Sequence, residues 1–153
     1  MRFRRLLFLI VSISLPLFST LPVNAITDVT PPVLKSLTVT PSSVDTTTVP
    51  ATVILHAVFR DDLSGVSYAN TNLRQPSGAQ MSSLVDCTLQ QTGALSPTTT
   101  VCTALYTFPA HTTPGDYGII IYAQDVAGNS LLMSPTDLAA AGFTSTIHVT
   151  NTN

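Results

Sequence analysis

An all-β sandwich is what this sequence predicts, and three observations predict it. Short apolar runs recur along the chain with turn residues between them. Residues 26–153 hold 35 Ser and Thr but no Trp and no Glu, so the long side chains that favour helices are scarce. Two of the runs also end alike. His56-Ala57-Val58-Phe59-Arg60 meets Asp61-Asp62-Leu63-Ser64-Gly65, and Ile119-Ile120-Ile121-Tyr122-Ala123-Gln124 meets Asp125-Val126-Ala127-Gly128-Asn129. An aspartate stops each run, and a glycine follows three or four residues later.

The elements follow in order. Ile26 to Pro32 reads as a linker-like segment, since Pro31-Pro32 holds the backbone extended. Leu34, Leu37 and Val39 mark a first strand, closed by Pro41-Ser42-Ser43. Val53, Leu55, Ala57 and Phe59 alternate with Thr52, Ile54, His56 and Val58; both faces are fairly apolar, as in a central strand. Val66 to Gln75 gives the next strand and Pro76-Ser77-Gly78 a tight turn. Ala79 to Gln90 reads as one further strand carrying Cys87, followed by a polar loop over 91–99. In Val101–Phe108 the residues Cys102, Ala104, Tyr106 and Phe108 share a face, and in the following strand Tyr117, Ile119, Ile121 and Ala123 do the same. Tyr117 stands where a tyrosine corner would. After a short strand at Leu131–Met133, Ser134 as N-cap, Pro135 at N1 and Gly142 as stop predict a small helix. Phe143 to Thr150, with Ile147 and Val149 inward, completes the set: an immunoglobulin-like antiparallel β-sandwich of about seven strands with one short helix before the last.

Before this domain lies a leader. Arg2, Arg4 and Arg5 precede an apolar stretch from Leu6 to Phe18, and Val23-Asn24-Ala25 places small residues at a cleavage site. Residues 1–25 are therefore expected to be a signal peptide cleaved after Ala25, residues 26–32 the linker-like segment, and 33–153 the sandwich. Secreted, periplasmic or cell-surface localisation follows, with no membrane span after cleavage. In that oxidising setting Cys87 and Cys102, the two cysteines of the chain, are expected to form a disulfide. Residues 26–153 contain eight aspartates against Lys35, Arg60 and Arg74, a formal charge of −5. Such a chain is a poor partner for nucleic acid, whose phosphates need clustered cations.

Thr30-Pro31-Pro32-Val33-Leu34, Pro41-Ser42-Ser43-Val44-Asp45, Asp61-Asp62-Leu63-Ser64-Gly65-Val66, Pro76-Ser77-Gly78, Pro114-Gly115-Asp116-Tyr117 and Asp125-Val126-Ala127-Gly128-Asn129 occur in that order. This ordered set resembles the bacterial immunoglobulin-like repeats of surface adhesins and secreted multidomain proteins, over nearly all of residues 28–150. The resemblance implies a non-catalytic binding or adhesion module whose partner is an extracellular protein or glycan.

An immunoglobulin-like strand order would gather Asp28, Asp61, Asp62, Asp125 and Asn129 at one end of the sandwich, with Asp45 and Asp116 at the other. Carboxylates, an amide and backbone carbonyls are hard oxygen donors of the kind Ca²⁺ takes six to eight of. A purely structural module stiffened by Ca²⁺ is the alternative function. Asp and Asn are more simply explained as turn residues that bond backbone N–H groups two residues on, types expected at turns in any case. Both readings stand on sequence alone. Enzymatic chemistry has little to build on: His56, His111 and His148 are scattered, and no nucleophile-elbow or metalloprotease motif is present. Tyr68 and Tyr122 are the aromatics best placed for an exposed sugar platform.

Overall fold

The computed structural model describes residues 27–79, 85–86, 88–92 and 98–152. The expected leader (1–25) with its cleavage after Ala25, residues 80–84 and Cys87 of the predicted Ala79–Gln90 strand, and residues 93–97 of the polar loop lie outside the described residues.

Two sheets face each other. One has the order β1 (Val33–Thr40), β3 (Ala51–Asp61), β7 (Thr98–Phe108) and β6 (Thr88–Thr92). The other runs β2 (Ser43–Asp45), β10 (Thr146–Thr150), β8 (Gly115–Asp125), β4 (Val66–Arg74) and β5 (Val85–Asp86), with β9 (Ser130–Met133) also paired to β8. The four strands β1, β3, β7 and β6 take the places A, B, E and D of an immunoglobulin sandwich, and β4, β8 and β10 take C, F and G. Predicted strands appear as β1, β3, β4, β7, β8, β9 and β10, and β2 and β5 are short additions to the second sheet.

Period-two patterning explains the core. Val53, Leu55, Ala57 and Phe59 of β3 and Cys102, Ala104, Tyr106 and Phe108 of β7 are buried and face Ala69 and Leu73 of β4 and Ile119, Ile121 and Ala123 of β8 across the sandwich. Phe108 packs edge-on against Tyr117, ring centroids 5.1 Å apart. The Tyr117 hydroxyl donates to the Thr113 carbonyl four residues upstream at 2.9 Å, closing the tyrosine corner. Burial pushes the Tyr106 phenol up to about 12, and Thr71 Oγ1 shares a hydrogen bond with it at 2.9 Å.

As its two fairly apolar faces predict, β3 lies centrally, between β1 and β7; on its outer face Ile54 is 37% exposed and His56 bonds Thr103 Oγ1 at 3.0 Å. Two expectations need correction. Ala79–Gln90 is not one strand, because Val85–Asp86 pairs with β4 and Thr88–Thr92 pairs with β7, so the chain changes sheets between them. The sandwich is also not wholly antiparallel: β2 and β10 pair in parallel.

The helix has a definite task. β10 and β9 both pair with the same edge of β8, the first along Gly115–Gly118 and the second along Ile121–Gln124. α1 (Pro135–Ala140) carries the chain from one segment to the other. Ser134 accepts from Asp137 N while Asp137 accepts from Ser134 N, a complete capping box that holds the Asp137 carboxyl below its ordinary value. Leu138 is fully buried beneath it, and Gly142 follows the Ala141 C-cap.

Candidate functional site

β3 and β8 both deliver an aspartate inward at their last residue. Asp61 and Asp125 are each 1% exposed, which is rare for a carboxylate. The turns beyond them touch: Val126 N donates to the Gly65 carbonyl at 2.9 Å, and Val66 pairs with Asp125. Gly65 (φ 82°) and Gly128 (φ 97°) take the left-handed conformation that lets each chain double back so tightly. A third segment, ahead of β1, docks onto both turns. Asp28 Oδ2 accepts from Ser64 N at 2.9 Å, and its carbonyl accepts from Asn129 Nδ2 at 3.3 Å. Thr30 Oγ1 donates to the Asp62 carboxylate. The linker-like segment is therefore tied down from Asp28 onward.

All five predicted residues meet at this end, but in two groups. Asp125 and Asn129 satisfy each other: Asn129 N donates to Oδ1 at 2.8 Å and Asn129 Nδ2 to Oδ2 at 2.7 Å. That is turn chemistry. Asp28, Asp61 and Asp62 form the other group, with one ligand oxygen from each within 4.8 Å of the others. Asp61 Oδ1 accepts from Leu63 N at 3.1 Å and Gly65 N at 2.6 Å. Its Oδ2 is shielded from solvent and has no hydrogen-bond partner. Buried polar atoms are almost always paired, and among the described residues this oxygen and Thr100 Oγ1 are the exceptions.

The Ser64 side chain, with help from Thr30 and Ser64 backbone N–H groups, holds the Asp28 carboxyl below its ordinary value of 3.8. A carboxyl lowered by folding stabilises the fold above its unfolded pKa and loses that contribution as pH falls through the folded value. Acid should therefore loosen residues 27–32 only below about pH 4, and Asp28→Asn should remove that transition. Amide hydrogen exchange at Ser64 N across pH 2.5–6 reads it directly; unchanged protection over the whole range would contradict it.

Sequence reasoning missed Ser64 and Thr30. The Asp28-Val29-Thr30 spacing, repeated at Asp45-Thr46-Thr47, was the available signal: in both, the aspartate accepts from the residue two on. Asp45 and Asp116 lie at the other end, Asp116 bonded to His148 Nδ1 at 2.8 Å. Tyr68 and Tyr122 do sit side by side on the second sheet, centroids 6.1 Å apart, with Asn70 donating to the Tyr68 hydroxyl and Ser130 bonded to that of Tyr122. Cys102 is buried on β7 opposite Leu89 of β6 and Ala57 of β3.

Fold and site together define an immunoglobulin-like all-β sandwich with a carboxylate-lined end. No family model matches the chain, and no curated protein matches it. Among the described residues no helix is long and apolar enough to cross a membrane.

Proposed function

We propose that this protein is a secreted or cell-surface, non-catalytic immunoglobulin-like module for binding or adhesion, whose Asp28–Asp61–Asp62 end takes a Ca²⁺ ion. The cluster of Asp28, Asp61 and Asp62, in which the buried Asp61 keeps one oxygen unpaired, carries the cation reading. An ion there would satisfy that oxygen and offset the mutual repulsion of the three aspartates. Asp125 and Asn129 serve it indirectly, by fixing the turn to which Asp28 is tied. In the same reading Cys87 and Cys102 form the disulfide that a secreted chain favours.

Extracellular modules bind Ca²⁺ with Kd values of about 0.1–1 mM. At about 10 mM the ion is then at 10 to 100 times its Kd, which stabilises by roughly 1.4–2.7 kcal/mol through mass action. Thermal melts in Ca²⁺ and in EDTA should differ accordingly, and Mg²⁺, which tolerates irregular geometry poorly, should do less. Identical melting temperatures in millimolar Ca²⁺ and in EDTA would remove the ion from this account. Retention of the protein on immobilised envelope or matrix proteins separates a binding module from one that Ca²⁺ merely stiffens.

A further inference from the structure

The second feature at this end is cationic. A cleft of about 560 Å³ is lined by Thr30, Pro31, Val33, Lys35, Arg60 and Asp62. Residues 26–153 contain three basic side chains, and two of them, Lys35 and Arg60, line this one cleft. Among the described residues the one ion pair is His148–Asp116, so neither Lys35 nor Arg60 has a carboxylate within 4.0 Å.

The backbone explains how they come together. Val33 pairs with Arg60, but the register of β1 on β3 shifts between Leu34 and Ser36, leaving Lys35 without a strand partner. That bulge keeps Leu34 and Leu37 both buried while Lys35 and Ser36 both face outward. Arg60 points out because its neighbours Phe59 and Asp61 point in.

We propose that this cleft binds a carboxylate of an extended peptide, which makes it the contact site of the binding module read above and rests on that reading. Arg60 supplies a planar fork that matches a carboxylate bidentately, and Lys35 a second positive charge. Pro31 and the half-exposed Val33 form an apolar wall for the neighbouring side chain. The lining holds no aromatic ring on which a sugar could stack. Among the described residues β1 is also the outermost strand of its sheet, so an extended peptide can pair along that edge. The adjacent carboxylates oppose an anionic ligand: Asp28, Asp61 and Asp62 against Lys35 and Arg60 leave a local charge of −1. A Ca²⁺ ion on the aspartates reverses that to +1. Carboxylate binding is therefore tighter with the ion in place.

The test is a ¹⁵N-NMR titration at constant ionic strength, in Ca²⁺ and in EDTA, with N-acetyl-leucine, its neutral amide and glucuronate as probes. Saturable shifts confined to Val33, Lys35, Arg60 and Asp62 are expected with N-acetyl-leucine, at least threefold tighter in Ca²⁺, and none with the amide. The Lys35→Gln/Arg60→Gln double variant, altered only at exposed side chains, should fold normally and lose the response. Equal response to the amide, tighter binding of glucuronate, no saturation, or binding retained in the double variant each overturns the proposal. A Ca²⁺-dependent melting shift without carboxylate binding removes the cleft and leaves the ion. Carboxylate binding that is lost in the double variant but indifferent to Ca²⁺ keeps the cleft and removes its coupling to the ion.

Discussion

Phe59→Ala should lower stability by about 3–5 kcal/mol, the usual cost of truncating a fully buried aromatic. Phe59 has no exposed surface and stands in the central strand of its sheet, two residues before Asp61. Its ring fills the space between the sheets just below the carboxylate-lined end, and a β-sandwich core can only partly close over such a void. Urea denaturation should show a large fall in midpoint with an unchanged slope, the mark of a change in stability rather than in the extent of unfolding. Ile54→Ala, on the outer face of the same strand and 37% exposed, should change stability by no more than about 0.5 kcal/mol. A loss below about 1 kcal/mol at Phe59, or equal losses at both positions, would contradict the placement of this core.

That pair of positions shows why so much of the fold was legible. In β3, β7 and β8 the alternation of buried and exposed residues runs nearly unbroken through Val53–Phe59, Cys102–Phe108 and Tyr117–Ala123, because period two is imposed by the pleat itself. The helix was legible for a similarly local reason: cap, first-turn proline and terminal glycine each act within a few residues. Ala79–Gln90 failed as a single strand because the choice of sheet is made by distant partners, β4 for Val85–Asp86 and β7 for Thr88–Thr92. No local pattern encodes that choice. The outer face of β3 carries Ile54 and Val58, apolar without being core, an ordinary condition for surface strands.

The site divides in the same way. Aspartates at the ends of strands were readable as turn formers or as ligands, since both uses select the same residue types. Which aspartate does which depends on contacts far apart in sequence. Asn129 Nδ2 reaches the Asp28 carbonyl across 101 positions, and Asp28 reaches Ser64 N across 36. Asp125 differs by a local pairing, both its oxygens being engaged by Asn129 four residues on, whereas Asp61 keeps one oxygen unpaired and joins Asp28 only through the fold. The cationic cleft was harder still to see: Lys35 and Arg60 become neighbours through strand pairing and a bulge, and neither belongs to a motif.

Asp61→Asn should separate the turn from the ion, because the substitution keeps one function and removes the other. The amide oxygen can still accept from Leu63 N and Gly65 N, while its NH₂ replaces the unpaired Oδ2 in a site that also holds the Asp28 and Asp62 carboxylates. In EDTA the loss of charge weakens two hydrogen bonds but ends a like-charge repulsion, so stability should stay within about 1 kcal/mol of the unaltered protein. In about 10 mM Ca²⁺ the unaltered protein gains roughly 1.4–2.7 kcal/mol and the variant gains little, so the difference between them opens only when the ion is present. Asp61→Ala gives the contrast. It leaves the Leu63 and Gly65 N–H groups without an acceptor and should cost about 2–3 kcal/mol in EDTA as well. If Asp61 were only a turn residue, both variants would respond to Ca²⁺ as the unaltered protein does. If it is a ligand, Asn and Ala both abolish the response while only Ala weakens the fold without the ion. Paired melts of the three chains, each in Ca²⁺ and in EDTA, decide between these outcomes.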